Sequence, residues 1–119
     1  MKRVALVEDN PDNRLLVRAL LAGRFEVAEY THGSEALAAF DKAIPDLVLL
    51  DISLPGMDGT EVLARLRAGP RTSEVPVIAL TAQAMRGDRE RLLRLGFDAY
   101  LAKPILDPDE LLGAIEALL

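Results

Sequence analysis

Five short apolar runs alternate with five helix-patterned stretches in this 119-residue chain. That alternation predicts a doubly wound α/β sandwich around a five-stranded parallel sheet. Right-handed crossovers make 2-1-3-4-5 the expected strand order. Two details support the assignment. Asp46-Leu47-Val48-Leu49-Leu50 is almost continuously apolar, which suits a central strand covered on both faces. Four of the five runs also end in a polar residue able to do chemistry, and open α/β sheets bind ligands at the carboxyl ends of their strands.

Arg3 to Val7 reads as the first strand, with Glu8-Asp9 at its carboxyl end. Asn10-Pro11 then starts a helix, Asn as N-cap and Pro at the first helical position. The pairs Leu16/Leu20 and Val17/Leu21 form its expected buried stripe, and Gly23 stops it. Phe25 to Tyr30 alternates partly and reads as a strand nearer an edge. Ser34 is the expected cap of the second helix, with Glu35 in its first turn; Leu37 and Phe40 face inward, and Ile44-Pro45 ends it. The central strand delivers Asp51 with no turn residue between. Pro55, Gly56 and Gly59 turn the chain into a third helix over Gly59–Ala68, which Gly69-Pro70 breaks.

Val75 to Leu80 reads as the fourth strand, followed by Thr81. Ala84 to Leu95 reads as a helix interrupted at Gly87, with Asp88 able to cap a shorter version. Ala99 to Ala102 is a short fifth strand leading to Lys103-Pro104. Asp107-Pro108-Asp109-Glu110 opens the last helix with an Asp form of the capping box. Leu111, Leu112, Ile115 and Leu118 cover its inner side.

Composition narrows the function. One domain spanning 1–119 is expected, with no output domain after the fifth helix. There is no cysteine and only one histidine, so thiolate and His-rich metal sites are excluded. A net charge of −5 argues against a nucleic-acid surface. No stretch approaches the roughly 18–20 apolar residues of a membrane span, and the start does not resemble a signal peptide, so a cytoplasmic setting is expected.

In a parallel sheet all carboxyl ends share one edge, so Glu8, Asp9, Asp51, Thr81 and Lys103 should converge. Three close carboxylates repel, so either one protonates or a cation binds. All-oxygen ligands suit a hard cation, and Mg²⁺ fits best because it keeps water and phosphate ligands. A metal, a lysine and a hydroxyl around one carboxylate make a phosphoryl-transfer site, with Asp51 attacking in line to form an aspartyl phosphate.

The motifs VEDN, LLDISLPGMDG, LTA and KP fall in order at the strand ends. With them the chain resembles, over its whole length, the receiver domains of bacterial two-component response regulators, single-domain or hybrid-kinase type. That resemblance implies a flavodoxin-like fold and a phosphorylation-dependent signalling switch, not an enzyme acting on outside substrates. It implies that Asp51 is the phosphoacceptor, that Asp9 is a direct Mg²⁺ ligand, and that Glu8 acts through a metal-bound water. The Ser53 backbone carbonyl completes the protein ligands. Lys103 pairs with the phosphoryl group, and Thr81 moves to hydrogen-bond it. Tyr100 swings with Thr81, and the Lys103-Pro104 bond is cis. The family commonly has two Asp where Glu8-Asp9 stands here; the longer Glu arm suits a water-mediated contact. The implied partners are a sensor histidine kinase or histidine phosphotransfer protein and a downstream protein target, reached through the surface of the fourth helix, fifth strand and fifth helix. The chain is expected to be a monomer or a phosphorylation-linked dimer.

Plainer readings stand beside these. Tyr100 also fits a half-buried strand aromatic. Ser53 and Gln83 either tune water access to the phosphate or are ordinary loop residues. Asp58 fits a helix start better than a metal ligand, His32 a solvated turn, and the arginines at 86, 89, 91 and 94 a solvated helix face. Three rival functions remain: a phosphorylation-independent docking module, an Mg²⁺-dependent phosphohydrolase, and a flavin carrier. Against the phosphohydrolase, Ser53 stands where a second acid is wanted. Against the flavin carrier, no Ser/Thr/Gly-rich loop follows the first strand.

Overall fold

A computed structural model describes residues 1–82, 88–105 and 107–119. The elements are β1 (Arg3–Val7), α1 (Pro11–Leu21), β2 (Glu26–Tyr30), α2 (Gly33–Phe40), β3 (Leu47–Asp51), α3 (Gly59–Ala68), β4 (Val77–Thr81), α4 (Asp88–Leu95), β5 (Ala99–Ala102) and α5 (Pro108–Leu118). The strands form one sheet in the order β2-β1-β3-β4-β5, with every pair parallel. All carboxyl ends therefore lie on one edge. Among the described residues, no helix is long and apolar enough to cross a membrane.

Side chains alternate across the sheet and feed two cores. Ala5, Val7, Val48, Leu50, Val77 and Ala79 pack with α2, α3 and α4 through residues such as Phe40, Leu63 and Leu92. Val4, Leu6, Leu47, Leu49, Ile78 and Leu80 pack with α1 and α5 through Val17, Leu21, Leu111 and Ile115. Strands β3 and β4 are buried at every position, as the continuous apolar run requires.

The helix starts follow local chemistry. The Asn10 side chain accepts from the Asp12 amide at 2.8 Å, with Pro11 opening α1. The Asp58 side chain accepts from the Glu61 amide at 3.0 Å and opens α3. Asp107 caps α5 through the Asp109 amide at 3.0 Å. Gly59 is required where it stands: a Cβ there would run into the Asp51 carbonyl oxygen and, at 2.7 Å, the Ile52 Cα. The start of α3 is thus seated directly against the end of β3.

Several expectations shift. Helix α2 begins at Gly33 with His32 at the N-cap, so Ser34 lies inside the first turn. Glu35 instead reaches back, its carboxylate accepting from the Thr31 amide at 3.3 Å. Strand β2 starts at Glu26 because the Phe25 amide is still bonded to the Leu21 carbonyl at the end of α1. Strand β4 starts at Val77, since Val75 closes a turn onto the Thr72 carbonyl and Pro76 has no amide to give the ladder. On α1 the buried stripe is Val17 and Leu21 with Leu20 beside them, whereas Leu16 is 36 % exposed. Leu16 instead lies with Lys103 and Ile105 around a small cavity near the carboxyl edge. The expected start of the fourth helix, from Ala84 to Gly87, lies outside the described residues.

Candidate phosphoryl-transfer site

The carboxyl edge gathers what the strands deliver. Glu8 follows β1, and Asp51 and Thr81 end β3 and β4; all three are buried polar residues. Asp9 is exposed, on the loop into α1. One oxygen from each of Glu8, Asp9 and Asp51 lies within 4.8 Å of the others. An open cleft of about 350 Å³ is lined by Asp9, Asn10, Asn13, Asp51, Ser53, Ala82, Lys103 and Pro104.

Lys103 binds the cluster from the β5 side. Its Nζ lies 2.9 Å from Glu8 Oε1 and 3.1 Å from Asp51 Oδ2. The Lys103 amide donates to the Thr81 carbonyl at 2.8 Å, which anchors the residue one step past the strand. The Lys103-Pro104 peptide is cis. Asp51 Oδ1 accepts from the Ser53 amide at 3.0 Å, and Glu8 Oε2 accepts from the Asn10 amide at 3.3 Å. Asp51 is only 1 % exposed, yet its carboxylate borders the cleft.

The electrostatics show how crowded this is. The Glu8 carboxyl is pushed from an ordinary 4.5 up to about 7. Burial is the main cause; a hydrogen bond shared with Asp51, which needs a proton, adds to it, and Lys103 opposes both. Burial alone would lower the Lys103 ammonium. Its hydrogen bonds to Glu8 and Asp51 and their charges outweigh that, and its pKa is raised. One cation does not fully neutralise the three acids, and Glu8 is the one whose carboxyl is raised. An all-oxygen cluster with surplus negative charge and access to water fits a hard divalent cation.

Thr81 and Tyr100 are placed by the β4–β5 pairing. In the β4–β5 register Tyr100 pairs with Ala79 and Ala102 with Thr81. Tyr100 is half-buried against the α2–α3–α4 core. By strand alternation Thr81 shares that face with Ala79, so both residues lie towards α4. Ser53 is exposed on the loop after β3. Gln83 lies outside the described residues. Asp58 belongs to the α3 cap: Thr60 Oγ1 at 2.6 Å and the Glu61 amide hold its carboxyl below the usual range. His32 is exposed, its Nδ1 2.9 Å from Thr31 Oγ1.

One participant gave no signal in sequence. Arg14, one turn into α1, donates from Nη1 to the carbonyls of Glu8 (2.9 Å) and Asp9 (3.0 Å). Nothing in the helical periodicity separates it from the exposed arginines. Only the folding of the loop back over α1 does.

Residues 4–116 match the family described as the response regulator receiver domain. This chain is a response regulator receiver domain. Among its curated relatives, the polar-differentiation response regulator DivK of Brucella anthropi is 44 % identical over 108 residues, covering 90 % of this chain and 88 % of that protein. Solved receivers share the fold as well. The receiver domain of the sensor histidine kinase PA1611 of Pseudomonas aeruginosa, with magnesium coordinated in its active-site cleft, superposes with a TM-score of 0.89. It is 36 % identical, over 98 % of this chain and 96 % of that one. The chemotaxis protein CheY4 of Vibrio cholerae gives a TM-score of 0.91 at 28 % identity, covering 100 % and 99 % of the two chains. The receiver family is regulatory and belongs to two-component signalling.

Proposed function

We propose that this receiver accepts a phosphoryl group on Asp51 from a phosphohistidine donor, a sensor histidine kinase or a histidine phosphotransfer protein. The observation that carries the reading is the state of Asp51. It is buried, gripped by the Ser53 amide and the Lys103 ammonium, still open to a cleft it shares with Asp9, and within 4.8 Å of an oxygen of buried Glu8. An Asp51 oxygen forms the new bond to phosphorus while the phosphorus–nitrogen bond to histidine breaks, and the leaving imidazole takes up a proton. Asp9, Asp51 and the Ser53 carbonyl are the proposed ligands of Mg²⁺, with Glu8 acting through water. A bound Mg²⁺ supplies positive charge that offsets the phosphoryl oxygens. Lys103 exchanges a carboxylate partner for a phosphoryl oxygen. Self-catalysed gain and loss of the phosphoryl group is the only chemistry proposed.

Thr81 is proposed to turn towards the new charge, and Tyr100 to follow into the space beside α4. Their shared face supports this, because by strand alternation both lie on the side of the sheet that packs α2, α3 and α4. The α4–β5–α5 surface is then read by a downstream protein or a second copy of the chain, and the proposed setting is the cytoplasm. A switch from about 1:99 to 99:1 needs about 5.5 kcal/mol of preference for the active form. Two or three hydrogen bonds to a charged group, at about 1.5–3 kcal/mol each, reach that size.

The test is intact mass after incubation with Mg²⁺ and a small phosphodonor such as acetyl phosphate. The wild type gains one phosphoryl group and Asp51→Asn gains none. An unlabelled wild type, or equal labelling of the two, overturns the assignment.

A further inference from the structure

The β1–α1 loop must hold two consecutive acids, Glu8 and Asp9, close to a third. Mutual repulsion favours opening the loop. Burial holds Glu8, whose amide also donates to the Tyr30 carbonyl of β2 at 2.9 Å. Asp9 is exposed and lacks that restraint.

We propose that Arg14 is the positioning residue for the cation site, setting the curvature of this loop so that the Asp9 carboxylate faces the cleft. A single nitrogen, Nη1, donates to two successive carbonyls, those of Glu8 and Asp9. Bonding both to one point fixes the two peptide planes relative to each other. The guanidinium is itself oriented from behind. Its Nε lies 3.7 Å from Glu29 Oε1, and Glu29 Oε2 accepts from Arg18 Nη1 at 3.0 Å. A continuous path thus runs from the edge strand β2 through Glu29 and Arg14 to the main chain of the acidic pair. The contact geometry also separates two roles. Arg14 takes main-chain carbonyls, so the Asp9 carboxylate is left for a cation rather than consumed in an ion pair. Outer partners of this kind commonly govern metal affinity by 10–100-fold.

This inference rests on the proposed Mg²⁺ ligands, so its test separates the two. Mg²⁺ alone is titrated calorimetrically into the full chain at pH 8, and urea unfolding is followed in parallel with chelator present. Arg14→Met weakens Mg²⁺ binding by about tenfold or more. Its chelator-state unfolding remains a single cooperative transition with a modestly lowered midpoint, because water can replace the exposed Asp9 carbonyl contact whereas the part-buried Glu8 contact is lost. Arg14→Lys recovers part of the affinity, since an ammonium can still reach a carbonyl. Arg71→Met, which removes an equal charge from the loop before β4 at the opposite edge of the sheet, binds Mg²⁺ like wild type. Unchanged affinity in Arg14→Met overturns the proposal, as does a loss of affinity that only mirrors a loss of fold in chelator. Wild-type affinity in Asp9→Asn instead overturns the ligand assignment, and the proposal with it.

Discussion

Glu8→Gln offers a quantitative test of the crowded cluster. In the folded chain the Glu8 proton stays on until about pH 7, whereas in the unfolded chain it leaves near 4.5. Between those values the folded state holds more protons than the unfolded one, so raising the pH withdraws stability. At about 1.4 kcal/mol per pH unit, the span from 4.5 to about 7 amounts to about 3 kcal/mol. Gln resembles the protonated acid: its oxygen can accept from Lys103 and its amide can donate to Asp51. Without metal, Glu8→Gln and wild type are therefore of similar stability near pH 4.5. The variant gains steadily on the wild type up to pH 7, and the gap is constant above. Urea unfolding at pH 5, 6, 7 and 8 in chelator measures this, and titrating groups remote from Glu8 cancel in the difference. Magnesium at a hundredfold excess over its dissociation constant then adds about 2.7 kcal/mol to the wild type and less to the variant. Parallel pH profiles for the two proteins would refute the argument that burial and Asp51 hold a proton on Glu8.

Two further outcomes follow from contacts away from the chemistry. Arg67, at the end of α3, donates to the carbonyls of Ser73, Val75 and Gly96 and to the Asp98 carboxylate, with Nη1 2.7 Å from Val75 and Nη2 2.8 Å from Asp98. Arg67→Met removes the clamp between α3, the loop before β4 and the start of β5; the expected loss is about 3 kcal/mol, or roughly 10 °C in a thermal melt. Asp58→Ala costs about 1 kcal/mol through loss of the α3 cap but leaves Mg²⁺ affinity, measured by titration, at the wild-type value.

The sequence carried the order of elements and the convergence of charges for a definite reason. Topology alone sends every strand of a parallel sheet to the same edge, so Glu8, Asp51, Thr81 and Lys103 need no knowledge of rotamers to be grouped. What it did not carry depends on direction. That Lys103 lies between Glu8 and Asp51 follows from Glu8 turning inward beneath the cleft. Helix α2 starts at Gly33 with His32 at the N-cap although the His32 side chain makes no cap bond; the Glu35 carboxylate, bonding the Thr31 amide, does that work instead of Ser34. Leu16 fits the helical stripe by spacing yet lies one step round from the core. Arg14 acts on main-chain atoms, which leave no trace in a pattern of side chains.

The alternation that splits the sheet into two faces also limits how such a chain can change over time. Val48 and Leu50 face one helical layer while Leu47 and Leu49 face the other. Deleting a single residue from β3 would rotate every later position of that strand by one step. Asp51 would then point towards the opposite layer, away from Lys103. Substitutions in the outer helix surfaces carry no such penalty. Divergence among chains of this design can therefore proceed by side-chain replacement on the helices, while the count of residues between each strand's core and its end stays fixed.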